Sequence, residues 1–162
     1  MVDSTRDVGF VAASALAGGR LATDLKNTPV AYPVLTRDFV DALGLTDVTN
    51  ASTWTVNSSF TQDDGRSVQF GSSGMNVRVS YRGAASDQAR INFFPAYFDY
   101  DSFNLERFDF ARGPNSILFG SGSNGGSANA LYKEARLDKA FREVQVRIGS
   151  WENYRSSIRA PG

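Results

Sequence analysis

Hydrophobic and polar residues alternate along this chain in three separate stretches, and each predicts a strand. In NVRVSYRG, residues 76–83, Val77, Val79 and Tyr81 face one way while Arg78, Ser80 and Arg82 face the other, the pattern of a half-buried strand. FNLERFDFARG, residues 103–113, opposes Phe108 and Phe110 to Arg107 and Asp109. FREVQVRIGSWENYRSSIRA, residues 141–160, sets Val144, Val146 and Ile148 against Gln145 and Arg147, turns at Gly149 and Ser150, and returns in a polar-rich run to Arg159. A helical period governs one short stretch. Thr36 can cap RDFVDALG, which puts Phe39, Val40 and Leu43 on one face and stops at Gly44. A second short helical stretch is expected from Thr46 through Asp47 and Val48 towards Trp54.

The segments between carry weaker signals. Pro29 and Pro33 make residues 25–36 an extended stretch suited to a sheet edge. Residues 57–76 are rich in turn formers and predict a loop. Residues 1–20, ending in Gly18-Gly19, are expected as a tail or linker. INFFPAYFDYDSF, residues 91–103, is aromatic at six of its thirteen positions.

Composition narrows the chemistry. A chain of 162 residues is long enough for a domain with a core of its own. Seventeen basic residues balance seventeen acidic ones, which argues against a general nucleic-acid binder, since that needs surplus cations to displace counterions. With no cysteine and no histidine, disulfides, thiolate metal sites, Cys nucleophiles and the imidazole general base are excluded. No apolar run reaches the roughly 18–20 residues of a membrane helix. VGFVAASALA, residues 8–17, has the length of a signal-peptide core. The MVDSTRD before it carries two Asp against one Arg, the wrong charge for such a leader, so the stretch is read either as mature chain or as the start of a chain from which a leader has been removed.

The densest glycine cluster is RGPNSILFGSGSNGG, residues 112–126. Within it GSGSNG, Gly120 to Gly125, fits the G-x-G-x-x-G turn of dinucleotide-binding domains. That reading needs a strand over residues 116–119, a helix over SANALYKEARLDKAF and an acidic ribose contact, for which Glu143 stands near the right distance. It would make the chain a nucleotide-binding enzyme. The other reading is a tight turn between two strands, with glycines chosen for backbone freedom.

A longer pattern bears on that choice. Arg82-Gly83, then the aromatic stretch, then Glu106-Arg107-Phe108-Asp109, Arg112-Gly113-Pro114, Phe119-Gly120, Gly125-Gly126, Asn129 and Lys133 follow one another in order and spacing. This order resembles the plug domain of TonB-dependent outer-membrane receptors, with residues 18–135 covered. The resemblance implies an α+β fold: a small mixed sheet of about four strands with two or more short helices and long loops. It divides the chain into a tail at 1–17, a plug at 18–135 and the start of a transmembrane β-barrel at 136–162.

The implied function is gating. The plug occludes the barrel lumen and helps bind a siderophore, glycan or similar nutrient for uptake across the outer membrane of a Gram-negative-type bacterium. No catalysis, metal or cofactor is implied. Arg82, Glu106 and Arg112 are the expected lock between plug and barrel wall. Gly113, Pro114, Gly120, Gly122, Gly125 and Gly126 form a structural glycine loop. Phe93, Phe94, Tyr97, Phe98 and Tyr100 are candidate ligand contacts. The periplasmic protein TonB would pair by strand addition with an N-terminal segment, for which Asp7, Val8, Gly9, Phe10 and Val11 are the candidates. The chain's own barrel and a small-molecule or glycan ligand are the other expected partners, with no nucleic acid, and the terminal hairpin offers an isolated chain an edge for dimerisation. The alternative is a free-standing secreted or periplasmic binding module sharing the plug fold.

Overall fold

A computed structural model describes residues 7–12, 32–62, 77–84, 89–98, 100–113, 125–133 and 141–160. The chain falls into two compact units, Met1–Tyr132 and Lys133–Gly162.

The first unit is built on a five-stranded mixed sheet. Its strands are β1 (Val34–Leu35), β4 (Arg90–Ile91), β5 (Phe94–Pro95), β6 (Leu105–Arg112) and β7 (Gly126–Tyr132), in the order β1-β6-β7-β4-β5. β6 lies antiparallel to both β1 and β7, β4 runs parallel to β7, and β5 turns back on β4. Two further strands, β2 (Ser58–Gln62) and β3 (Val77–Tyr81), pair antiparallel in a ladder of their own. β2 falls where a loop was expected. Its Ser-Ser-Phe-Thr-Gln sequence has no clean alternation, and pairing with β3 overrides weak local preference.

The helices follow their caps. α1 (Arg37–Leu43) starts at Thr36, whose Oγ1 accepts from the Phe39 amide at 3.4 Å, and ends at Gly44 in the left-handed conformation, φ 68°. α2 (Val48–Ser52) starts at Asp47, which accepts from the Asn50 amide at 2.7 Å, and closes before Trp54. Arg37 ties α1 to the sheet by donating to the carbonyls of Ser102 and Leu105, at 2.6 and 2.9 Å. Val40 is buried against the core, Phe39 packs at its margin, and Leu43 stays partly exposed.

Phe108 and Phe110 of β6, Ala128 and Ala130 of β7, Ile91, Leu105, Val79 and Tyr81 make the core with Val48 and Ala51 of α2. Gly126 opens β7 at φ 143°, where a side chain is strained. A Cβ there would collide with the Ala111 carbonyl oxygen and lie 2.8 Å from the Tyr81 ring. Gly126 is therefore a close-packing residue.

The second unit contains β8 (Glu143–Ile148) and β9 (Tyr154–Arg159), an antiparallel hairpin. Val144, Val146, Ile148, Tyr154 and Ile158 share one exposed face. Glu143 and Arg159 pair at 3.8 Å on the other, and Arg159 stacks 4.9 Å from the centre of the Phe141 ring.

Gly126→Ala should cost about 1–3 kcal/mol through overpacking and backbone strain. The expected reading is a lower urea midpoint with an unchanged slope. An unaltered midpoint would show that neither the Ala111 carbonyl nor the backbone conformation at residue 126 demands glycine there.

Candidate functional site

β6 is buried on both of its faces. Alternation sends Phe108 and Phe110 into the apolar core and Arg107 and Asp109 to the opposite side, where each is only 1% exposed. The sequence pattern distinguishes the two faces of this strand but does not reveal that the polar one is covered as well. Arg107 Nε donates to Asp109 Oδ2 at 3.3 Å and its Nη1 to Asp7 Oδ2 at 3.4 Å. One buried guanidinium thus serves two carboxylates, one on its own strand and one on the N-terminal segment.

The polar row continues across the sheet. Asp109 stands opposite Asn129 of β7, which in turn stands beside Arg90 of β4, and all three are buried. Arg107 Nη2, Asp109 Oδ1 and Asn129 Nδ2 have no hydrogen-bond partner among the described residues. Burial pushes the Asp109 carboxyl up to about 7, although Arg107 pulls the other way. Burial also works against the Arg107 charge, but the carboxylates of Asp109 and then Asp7 outweigh it, and its pKa rises. Tyr32 is raised as well, first by burial and then by Asp109. None of Tyr32, Arg90, Arg107 and Asp109 was singled out as a site residue from the sequence. The available signal was a pair of opposite charges two positions apart on a strand that also alternates aromatics.

The aromatic stretch forms a peg. β4 and β5 are joined by the two-residue turn Asn92-Phe93, both with positive φ, at 48° and 71°. Side-chain amides hold that turn from both directions. Asn129 Oδ1 accepts from the Phe93 amide at 2.9 Å, and Asn92 Oδ1 accepts from the Tyr132 amide at 3.1 Å. The five candidate ligand contacts separate here. Phe94, Tyr97 and Phe98 are exposed by 76%, 62% and 51%, and Phe93 is half-buried. Tyr100 belongs to the core, its hydroxyl 3.4 Å from the Arg90 carbonyl oxygen.

Arg82, Glu106 and Arg112 are not brought together. Arg82 is exposed at φ 51° in the turn after β3, with its amide donating to the Asn57 carbonyl at 2.9 Å. Glu106 lies half-buried at the bulge near the start of β6, and Arg112 half-buried at the end of the same strand. Of the glycine loop, Pro114, Gly120 and Gly122 lie outside the described residues. Gly113 closes the β6–β7 connection, its amide donating to the Gly125 carbonyl at 3.1 Å. Residues 126–132 are strand, so the helix that the nucleotide-binding reading requires after Gly125 is absent there. The strand expected over residues 116–119 lies outside the described residues.

The N-terminal candidates form a turn rather than a free strand. Val8 and Val11 exchange two backbone hydrogen bonds of 3.0 Å across Gly9 and Phe10. The Gly9 carbonyl accepts from Thr36 Oγ1 at 2.8 Å, and the Phe10 ring packs edge-on against Phe39 at 5.5 Å. Asp7 reaches Arg107 from the same turn.

Since the native pKa of Asp109 lies above that of a free carboxyl, its contribution to stability is complete below about 4 and is lost as pH rises to about 7. Asp109→Asn should abolish this loss. The wild type should therefore weaken relative to the variant between pH 4 and 7.5 in urea titrations, and a constant difference would contradict the burial effect.

The family model for the TonB-dependent receptor plug domain matches residues 24–127. The chain is 44% identical over 64 residues to the probable TonB-dependent receptor BfrD of Bordetella pertussis, covering 40% of this chain and 8% of that protein. It is 25% identical over 161 residues to the ferripyoverdine receptor of Pseudomonas aeruginosa, covering 98% of this chain and 20% of that protein. Among solved structures, that receptor bound to ferripyoverdine superposes with a TM-score of 0.78 at 22% identity, over 96% of this chain and 21% of the receptor. The alcaligin outer-membrane receptor FauA of Bordetella pertussis gives 0.75 at 20% identity, over 93% and 26%. The chain thus spans a minor share of each relative.

Proposed function

Because this chain belongs to the family of TonB-dependent receptor plug domains, we propose that it is the gate of an outer-membrane transporter that takes up a ferric siderophore. The carrying observation is β6, buried on both faces and running from the Glu106-Arg107-Phe108-Asp109 motif to Arg112-Gly113. A strand of this kind suits a compact stopper in a pore better than a surface module with one wet face. The siderophore class is proposed from relatives named for ferripyoverdine and alcaligin.

In this reading β8 and β9 begin the barrel wall. Their apolar row would face lipid and the row from Glu143 to Arg159 the lumen, the alternation of membrane barrels. The peg residues Phe94, Tyr97 and Phe98 meet the ligand on the outer side, where exposed rings stack on the flat groups of a siderophore. Arg82, Glu106 and Arg112 bind carboxylates and cations of the wall. TonB engages the N-terminal side of the plug, with Asp7, Val8, Gly9, Phe10 and Val11 the nearest candidates.

The complete receptor provides the test. Replacing Phe94, Tyr97 and Phe98 by alanine should weaken ferric-siderophore binding about tenfold or more, the equivalent of ~1.4 kcal/mol, with no change in melting temperature. Equal binding by parent and variant across ferric siderophores would defeat the ligand assignment. Arg82→Ala should leave the melting temperature of the 162-residue chain within a degree or two of the parent, since its side chain is exposed there. The same change in the complete receptor should increase leakage of bulky antibiotics through the channel. A large loss of stability in the isolated chain would instead assign Arg82 an internal partner.

A further inference from the structure

The polar face shared by β6 and β7 uses only part of its hydrogen-bonding capacity. Arg107 and Asp109 lie two residues apart on that face, and Asn129 stands directly across from Asp109 in the antiparallel register. All three are enclosed, with 1%, 1% and 4% of their surface exposed. Arg107 Nε donates to Asp109 Oδ2 and Asn129 Oδ1 accepts from the Phe93 amide. One atom on each residue, Arg107 Nη2, Asp109 Oδ1 and Asn129 Nδ2, is left with no partner among the described residues. Buried polar atoms seldom stay so, because each gave up its hydration on folding.

A second arginine shows what is unusual here. Arg37 closes the fork of Nε and Nη2 on both oxygens of Asp41, at 2.7 and 2.5 Å. Arg107 engages Asp109 through Nε alone, at the longer 3.3 Å, so Nη2 and Oδ1 face each other across an open prong. Asn129 brings Nδ2 towards the same carboxylate, since opposed side chains on paired strands have Cβ atoms about 5 Å apart. An occupant of that gap must accept from Nη2 and Nδ2, which only donate, and donate to Oδ1, which as a carboxylate only accepts. A simple anion gives nothing to Oδ1 and is repelled by it. A metal cation takes nothing from the N–H groups and meets the Arg107 charge, with buried Arg90 beside Asn129 adding another. Water does both, and internal waters make about three such bonds.

We propose that one internal water molecule is bound between Arg107, Asp109 and Asn129, and that by accepting from Asn129 Nδ2 it steadies the side-chain amide on which the Asn92-Phe93 turn hangs. The Phe93 N–H selects which end of the Asn129 amide faces the turn, and the water anchors the other end. Asn129 is then a positioning residue held at two points. Through this one molecule the ion pair of β6 reaches the aromatic turn, although neither Arg107 nor Asp109 is given a direct bond to it. The site belongs to the sheet and depends on neither gating nor a siderophore.

Rotating-frame cross-relaxation between solvent and the Asn129 side-chain amide, measured on the 162-residue chain, detects the water directly. A cross-peak of dipolar sign is expected at the Nδ2 protons. It should survive Tyr32→Phe and Ser127→Ala, which remove buried hydroxyls beside the row that could relay the same signal. No cross-peak in the parent, the result of a closed Arg107–Asp109 fork or a direct Asp109–Asn129 bond, would overturn the site, and so would its loss in either variant. Asp109→Asn tests the positioning role. The new amide oxygen turns to the guanidinium and its N–H2 to the water, so three donors compete for two lone pairs. At about pH 8, where the parent's Asp109 is ionised, the Asn129 cross-peak should weaken in this variant. Exchange of the Phe93 amide should rise about fivefold or more, with that of the buried Tyr81 amide unchanged. Unchanged Phe93 exchange would refute the role. If Asp109→Asn does not fold, the order of the Asn129 side-chain amide in the parent decides: backbone-like rigidity supports anchoring at both ends, and free motion refutes it.

Discussion

A guanidinium with no exposed surface, on an inner strand of the sheet, sets the terms for the first unit. A covered guanidinium needs hydrogen-bond acceptors, and Asp109, two residues along the same strand, accepts from Nε at 3.3 Å while Asp7 accepts from Nη1 at 3.4 Å. β6 can then be enclosed on both faces and take neighbours on both edges, β1 and β7. The remaining elements follow from that enclosure. Gly126 gives β7 room to run beside Ala111 and under Tyr81, and Asn129 extends the polar row while fastening the aromatic turn. The sheet is thus assembled around a strand that would be unstable alone in either water or an apolar core.

How much of this was legible in the chain depends on the range of each interaction. The bounds of α1 were readable, because Thr36 and Gly44 act within a few residues, although of its expected apolar face only Val40 is buried. The strand character of β3, β6 and β8 was readable from side-chain alternation, and that of β9 from its position as the run returning after the turn at Gly149 and Ser150. β2 was not, since Ser58–Gln62 becomes a strand only through β3. The burial of Arg107 was also hidden, because part of what covers it arrives from Asp7, a hundred residues away. Tyr100 looked the same as Tyr97 in the aromatic stretch, and the backbone path after β5 sends one into the core and leaves the other in solvent. The family likeness was carried by motif order, which survives even where individual roles cannot be assigned.

The described glycines of this stretch, Gly113, Gly125 and Gly126, do two jobs that a phosphate loop would not require. Gly113 and Gly125 close the connection between two antiparallel strands, and Gly126 admits a close approach of backbone and ring. A dinucleotide turn hands its strand over to a helix, whereas here the chain passes directly into β7. The same hexapeptide therefore serves opposite architectures, and the neighbouring strands decide between them.

The Asn92-Phe93 turn separates its own shape from the rings displayed beside it. Its course is dictated by two asparagine amides and a pair of left-handed residues, none of which depends on the rings displayed at positions 94, 97 and 98. Those rings can be exchanged for other side chains without disturbing the turn that carries them. On the gating role proposed above, such a mount would let selection retune the displayed side chains at little risk to folding, so that cargo preference could diverge among descendants while the backbone beneath stays the same.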